Sequence, residues 1–205
     1  MIPIQLQPEP PHFIKRVRQP GHDFLIKKPN PTTRDWYTHN YWTRVVDDLY
    51  KAYSGICAYS CHWIPPDTGS KSVEHFKPKK KYPKEAYRWE NFRLVSGNPN
   101  GRKGDYEDVL DPFTLSDGWF VIDFPSLLIR PGKGLLPAEA EQVIMTIKRL
   151  RLNDEGTCLQ ARMNWIRDYI TVPFPFSHLE KKAPFIAKEL KRQNMVETIR
   201  DVMRF

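Results

Sequence analysis

Ser72-Val73-Glu74-His75-Phe76-Lys77-Pro78-Lys79, then Trp89-Glu90-Asn91-Phe92-Arg93-Leu94-Val95, then Asn100-Gly101-Arg102-Lys103-Gly104-Asp105 are the three runs on which the fold turns. They lie in the most basic part of the chain. Between Lys71 and Asp105 ten Lys or Arg face four Asp or Glu, a local charge of +6. The whole chain of 205 residues carries 32 Lys and Arg against 24 Asp and Glu, a net +8, so most of the excess sits in this stretch. A balance of this sign favours polyanionic partners.

The residue types point to phosphodiester hydrolysis. That reaction needs a base to activate water, a divalent cation to stabilise charge on the phosphate, and positive groups to hold the backbone. A histidine suits the first role, because its proton affinity lies near neutrality. Glu with Asn is an oxygen-donor pair suited to a hard cation such as Mg²⁺ or Mn²⁺, which keeps waters and a substrate phosphate as further ligands. Lys77, Lys79, Lys80, Lys81, Arg102 and Lys103 supply the positive charge.

Plain alternatives exist for each feature. A Glu-His dipeptide alone means little, a lysine run is usually a solvated loop, and Trp42, Tyr53, Tyr87, Trp89 and Trp165 are more often core than base-stacking platforms. Asn98 competes with Asn100 as an amide ligand; the count from Asn91 to the Arg-Lys-Gly run favours Asn100.

The order and spacing of the three runs resemble the signature of HNH endonucleases. The resemblance puts Glu74 on the family's acidic metal ligand and His75 on its general base. Asn91 falls on the residue that braces the catalytic loop, and Asn100 on the last metal ligand. It implies an α+β fold, a ββα-metal core embedded in a mainly helical domain. The acid and base would end one strand of a hairpin, and the helix after it would begin near Asn100.

More narrowly, Ile56-Cys57-Ala58-Tyr59, Asp111-Pro112, the run Thr146 to Asn153 and Arg162 are similar to the HNH nucleases of Septu-type and retron-associated anti-phage systems. This resemblance spans about residues 36–170. It implies cutting of DNA beside an AAA- or ABC-like ATPase subunit, in phage defence. The other function classes to weigh are a non-catalytic HNH-fold scaffold or nucleic-acid-binding subunit, and a basic RNA-binding protein.

Many HNH proteins brace the core with zinc held by two Cys pairs. The matching positions are Cys57 with Ser60 and Ser96 with Pro99, so three of four ligands are missing. A tetrahedral site needs four donors, and no structural zinc is expected.

Outward from these runs, residues 1–34 hold seven prolines with basic residues between them, which reads as an extended arm. Tyr37, Tyr41, Val45 and Leu49 recur at helical spacing and predict one helix over 36–53. Residues 35–135 form the expected nuclease core with that helix in front. Residues 136–205 form a helical part: a helix after Pro137 with Val143, Ile144, Ile147 and Leu150 on one face, a second carrying Leu159, Met163, Ile166 and Ile170, and a third from Pro184 to Arg204.

Composition fits this picture, with 40% hydrophobic, 27% charged and 13% aromatic residues, and 19 prolines. Disorder and fibrous classes are excluded. No apolar run is long enough to span a membrane, and Met1-Ile2-Pro3-Ile4-Gln5 lacks a signal-peptide pattern. A cytoplasmic protein without membrane partners is expected. Cys57, Cys61 and Cys158 are too few and too uneven for a disulfide framework.

Overall fold

The computed structural model describes residues 1–172 and 174–203. It is an α+β fold with two antiparallel hairpins among short helices. The chain divides into two compact units, one of Gln5–Gly55 and Ile64–Glu107, the other of Met1–Ile4, Ile56–Trp63 and Asp108–Phe205. In this grouping residues 108–135, expected with the nuclease core, fall with the C-terminal helices.

In the first unit the expected extended arm is helical over half its length. A π-helical turn, Ile14–Arg18, runs into α1, Gln19–Lys27. Phe13, Val17, Gly21 and Phe24 are buried at near-helical spacing. Pro20 is the second residue of α1, directly after the π-helical turn, and donates no N–H back into it. Proline density hid this periodicity.

The single helix expected over 36–53 is three pieces. They are α2 (Thr33–Thr38), a 3₁₀ turn (Tyr41–Val45) and α3 (Val46–Ala52). The break falls at His39-Asn40, where side chains turn to local backbone: the His39 ring lies 2.9 Å from Asp35 O, and Thr43 Oγ1 donates to Asn40 O at 2.9 Å. Such bonds compete with helix continuation.

β1 (Lys71–His75) pairs antiparallel with β2 (Phe92–Ser96), with Glu74 opposite Arg93 and His75 opposite Phe92. α4 (Gly97–Lys103) follows β2 directly and packs on both strands. It begins three residues before Asn100. Pro99 falls in the first turn of α4, where a proline loses no intrahelical bond. Gly104 ends α4 at φ +49°, a conformation that favours glycine.

In the second unit β3 (Phe120–Asp123) pairs with β4 (Leu128–Pro131), which packs on α5 (Pro137–Leu150). Val143, Ile147 and Leu150 are buried, whereas Ile144 from the expected face is 40% exposed. A π-helical turn (Glu155–Leu159) leads into α6 (Gln160–Thr171), followed by α7 (Phe176–Lys182), which the periodicity did not predict.

The long helix expected from Pro184 is α8 (Pro184–Arg192) and α9 (Ile199–Val202). Asn194 adopts φ +55° and stops α8 in the left-handed region that Asn tolerates. Arg204, its expected end, lies outside the described residues.

Residues 108–135 join this unit through buried polar bonds. Leu110 N donates to Thr146 Oγ1 at 2.9 Å, and Ile122 N to Glu189 Oε2 at 2.9 Å. Arg162 is buried and donates to Leu127 O, Leu152 O and Asn153 Oδ1. Among the described residues no helix is long and apolar enough to cross a membrane.

Candidate active site

The first unit carries 18 Lys and Arg against 11 Asp and Glu, a net +7 of the chain's +8. It also holds a polar cavity of about 370 Å³ whose lining includes Glu74, His75, Asn100, Lys79, Trp42 and Asp105. Glu74 and His75 are the last two residues of β1, and α4 brings Asn100 beside that strand. Asn100 Nδ2 donates to Ser72 Oγ at 3.0 Å, which leaves its Oδ1 as the acceptor atom. Asn98 is exposed and does not line the cavity.

His75 is 5% exposed, and its Nε2 stands 2.9 Å from Ala86 O. A carbonyl can only accept, so Nε2 carries the proton and Nδ1 the basic lone pair. Trp42 and Phe92 meet the ring edge-on, with centroids at 4.7 and 5.3 Å, and fix its plane. Burial, reinforced by the Lys79 and Lys103 charges, pushes the imidazole down to about 3 despite the Ala86 bond. The ring is neutral at physiological pH.

Glu74 is 2% exposed and Lys103 fully buried. Lys103 Nζ lies 2.9 Å from Glu74 Oε1 and donates to His75 O at 3.1 Å and Phe76 O at 2.8 Å. Three partners saturate an ammonium. The expected phosphate contact by Lys103 is therefore corrected: α4 points this side chain into the core, where it ties the helix to the end of β1.

Asn91 is buried and clamps the segment after His75. Its Oδ1 accepts from Lys77 N at 2.7 Å, while Nδ2 donates to Lys77 O at 3.0 Å and Glu85 O at 3.1 Å. It does not line the cavity.

The remaining basic candidates differ among themselves. Lys79 lines the cavity with its ammonium 5.3 Å from the Trp42 ring centre, and burial lowers its proton affinity against the pull of Asp105 and Glu74. Lys80 pairs with Asp105 at 2.9 Å, and Lys81 with Glu107. Lys77 is exposed and Arg102 half-buried.

Asp105 and Trp42 are among the lining residues that went unnominated. Asp105 closes the third run, and its proximity to the cavity comes only from the turn at Gly104. Trp42 shares the apolar spacing of a core residue, and nothing in its neighbours marks it as a wall of the cleft.

Among the described residues no group of three or more His, Cys, Asp or Glu side chains is placed to share a metal ion. Glu74 and Asn100 form a smaller, all-oxygen set on one cavity. A carboxylate offers about four acceptor positions, and the Lys103 bond to Oε1 takes one of them. Hard cations that retain most of their waters suit such a set. No protein-family model matches the chain, and no curated protein matches it.

Proposed function

We propose that this protein is a metal-dependent endonuclease of the HNH type, built on a ββα-metal core formed by β1, β2 and α4 and hydrolysing phosphodiester bonds of DNA. The observation that carries the reading is the cleft itself: Glu74, His75 and Asn100 line one cavity, and the Ala86 carbonyl holds His75 in the tautomer that offers Nδ1 as base.

In this reading His75 Nδ1 takes a proton from the attacking water while Nε2–H stays on Ala86. A buried imidazole is a weak base by itself. The anionic phosphate entering the cleft favours the imidazolium and raises its proton affinity as the reaction proceeds. Trp42 and Phe92 keep the ring from rotating, and Asn91 fixes the segment behind it. Lys79 faces the phosphate, with Lys77, Lys80, Lys81 and Arg102 along the backbone path.

Glu74 and Asn100 would hold one Mg²⁺ or Mn²⁺, which when bound supplies charge stabilisation on the phosphate and leaving oxygen. The resemblance to Septu-type and retron-associated nucleases extends the proposal to a cytoplasmic effector of phage defence working beside an AAA- or ABC-like ATPase subunit.

A second reading, a non-catalytic HNH-fold nucleic-acid-binding or scaffolding subunit, is favoured by one observation: Lys103 already engages the carboxylate that the metal needs. Plasmid conversion decides between them. With Mg²⁺ or Mn²⁺, wild type converts supercoiled plasmid to nicked and linear forms, and identically prepared His75→Ala does not. Equal cutting by both proteins overturns the role of His75. Cutting by neither, with no Glu74-dependent Mn²⁺ binding, supports the scaffold reading.

A further inference from the structure

A second cavity of the same unit, about 700 Å³, is lined by Leu25, Ile26, Pro29 and Tyr87 and rimmed by Arg18, His22, Lys84, Arg88 and Glu90. Its size lies within the range of small-molecule sites, and its make-up, an apolar floor with a few polar groups at the rim, is theirs as well. A nucleic-acid duplex would ask for a broad basic face, which a concave apolar floor does not offer.

The floor is built by close packing. At Gly21 of α1 a Cβ would come within 2.1 Å of the Tyr87 ring, so the helix rests directly on that residue. Ile26 is nonetheless 65% exposed beside the cavity. The rim carries Arg18, Lys84 and Arg88 against Glu90. Arg88 reaches Glu85 at 3.4 Å and Glu90 at 3.7 Å, long and exposed pairs of the kind that contribute little and exchange readily.

We infer that this cavity binds a small amphiphilic anion, an organic phosphate or carboxylate with a flat or aliphatic body. The body would lie on Leu25, Ile26 and Tyr87, and the anionic head would face Lys84 and Arg88, which exchanges its weak pairs for a charge-assisted one.

The cavity is joined to the catalytic cleft by one covalent step. Ala86, whose carbonyl orients His75, sits between Glu85 and Tyr87, and Tyr87 and Arg88 form the cavity wall. A ligand that shifts this wall alters the register of the base. This coupling, unlike the binding itself, rests on the nuclease reading.

The test separates head from body. Melting temperature and titration calorimetry on the full chain are measured with AMP as probe of the class, adenosine as body alone and inorganic phosphate as head alone. AMP is expected to raise the melting temperature and to bind at least tenfold more tightly than either fragment. Ile26→Glu and Lys84→Glu, both at exposed positions that leave the fold intact, are expected to lose that gain. Phosphate binding as well as AMP, or variants binding as well as wild type, overturns the site. The coupling is read as plasmid cutting with and without saturating AMP: a changed rate that Lys84→Glu abolishes supports it, and an unchanged rate despite binding overturns it.

Discussion

Lys103→Met tests the most consequential structural assignment made for this unit, that Lys103 is an internal tie and not a phosphate contact. Methionine keeps the length and apolar stem of lysine but removes the ammonium. The change leaves Glu74, 2% exposed, without the charge 2.9 Å from its Oε1, and strips a donor from the carbonyls of His75 and Phe76.

Removing one partner of a buried ion pair costs up to about 3–5 kcal/mol. For a chain of this size each kcal/mol moves the melting temperature by roughly 2–4 °C, so a fall of roughly 6–20 °C is expected by circular dichroism. Adding Glu74→Gln should recover at least about 1 kcal/mol, since a neutral amide needs no counter-charge. A single variant melting within about 2 °C of wild type, or a double variant no more stable than the single, refutes the reasoning.

The other predictions concern the cleft and its approach. Asn91→Leu leaves the Lys77 amide and the Lys77 and Glu85 carbonyls unpaired, and urea unfolding should show a loss of about 1–3 kcal/mol together with slower plasmid cutting. His75 is held near 3 in the folded chain against about 6.5 unfolded, so between those values the unfolded state binds more protons and stability falls as pH drops. His75→Gln should therefore lose less stability than wild type between about pH 7 and about pH 5, and equal losses would contradict the burial argument. In DNA binding by fluorescence anisotropy, Lys77→Ala and Lys79→Ala should each reduce the salt slope by about 1, whereas folded Lys103→Met should leave it unchanged.

The residue types that meet at the cleft were legible in the sequence by itself. Glu74, His75 and Asn100 sit within one short segment, and a strand pair followed directly by a helix leaves few ways to arrange them. Local charge was equally legible: nearly all of the net +8 belongs to the unit that holds those residues. Phe92–Val95 and Trp119–Ile122 are short apolar runs bracketed by turn-forming residues, and β2 and β3 form largely from them.

Only the tertiary structure decided which groups face the cavity and which face the core. Lys103 and Lys79 are both lysines of the same basic stretch, yet one is enclosed against Glu74 and the other lines the cleft against Trp42. Lys103 stands in the last turn of α4, which packs on β1 and β2, while Lys79 stands on the loop after β1, and that packing is a long-range property that no local pattern encodes. The same holds for the tautomer of His75, which depends on a carbonyl eleven residues away. It holds also for the π-helical turn and α1, whose buried stripe of Phe13, Val17 and Phe24 becomes visible only once Tyr87 is packed beneath Gly21. Local propensity sets where the chain turns. The direction of each side chain is set by what the rest of the fold leaves for it to touch.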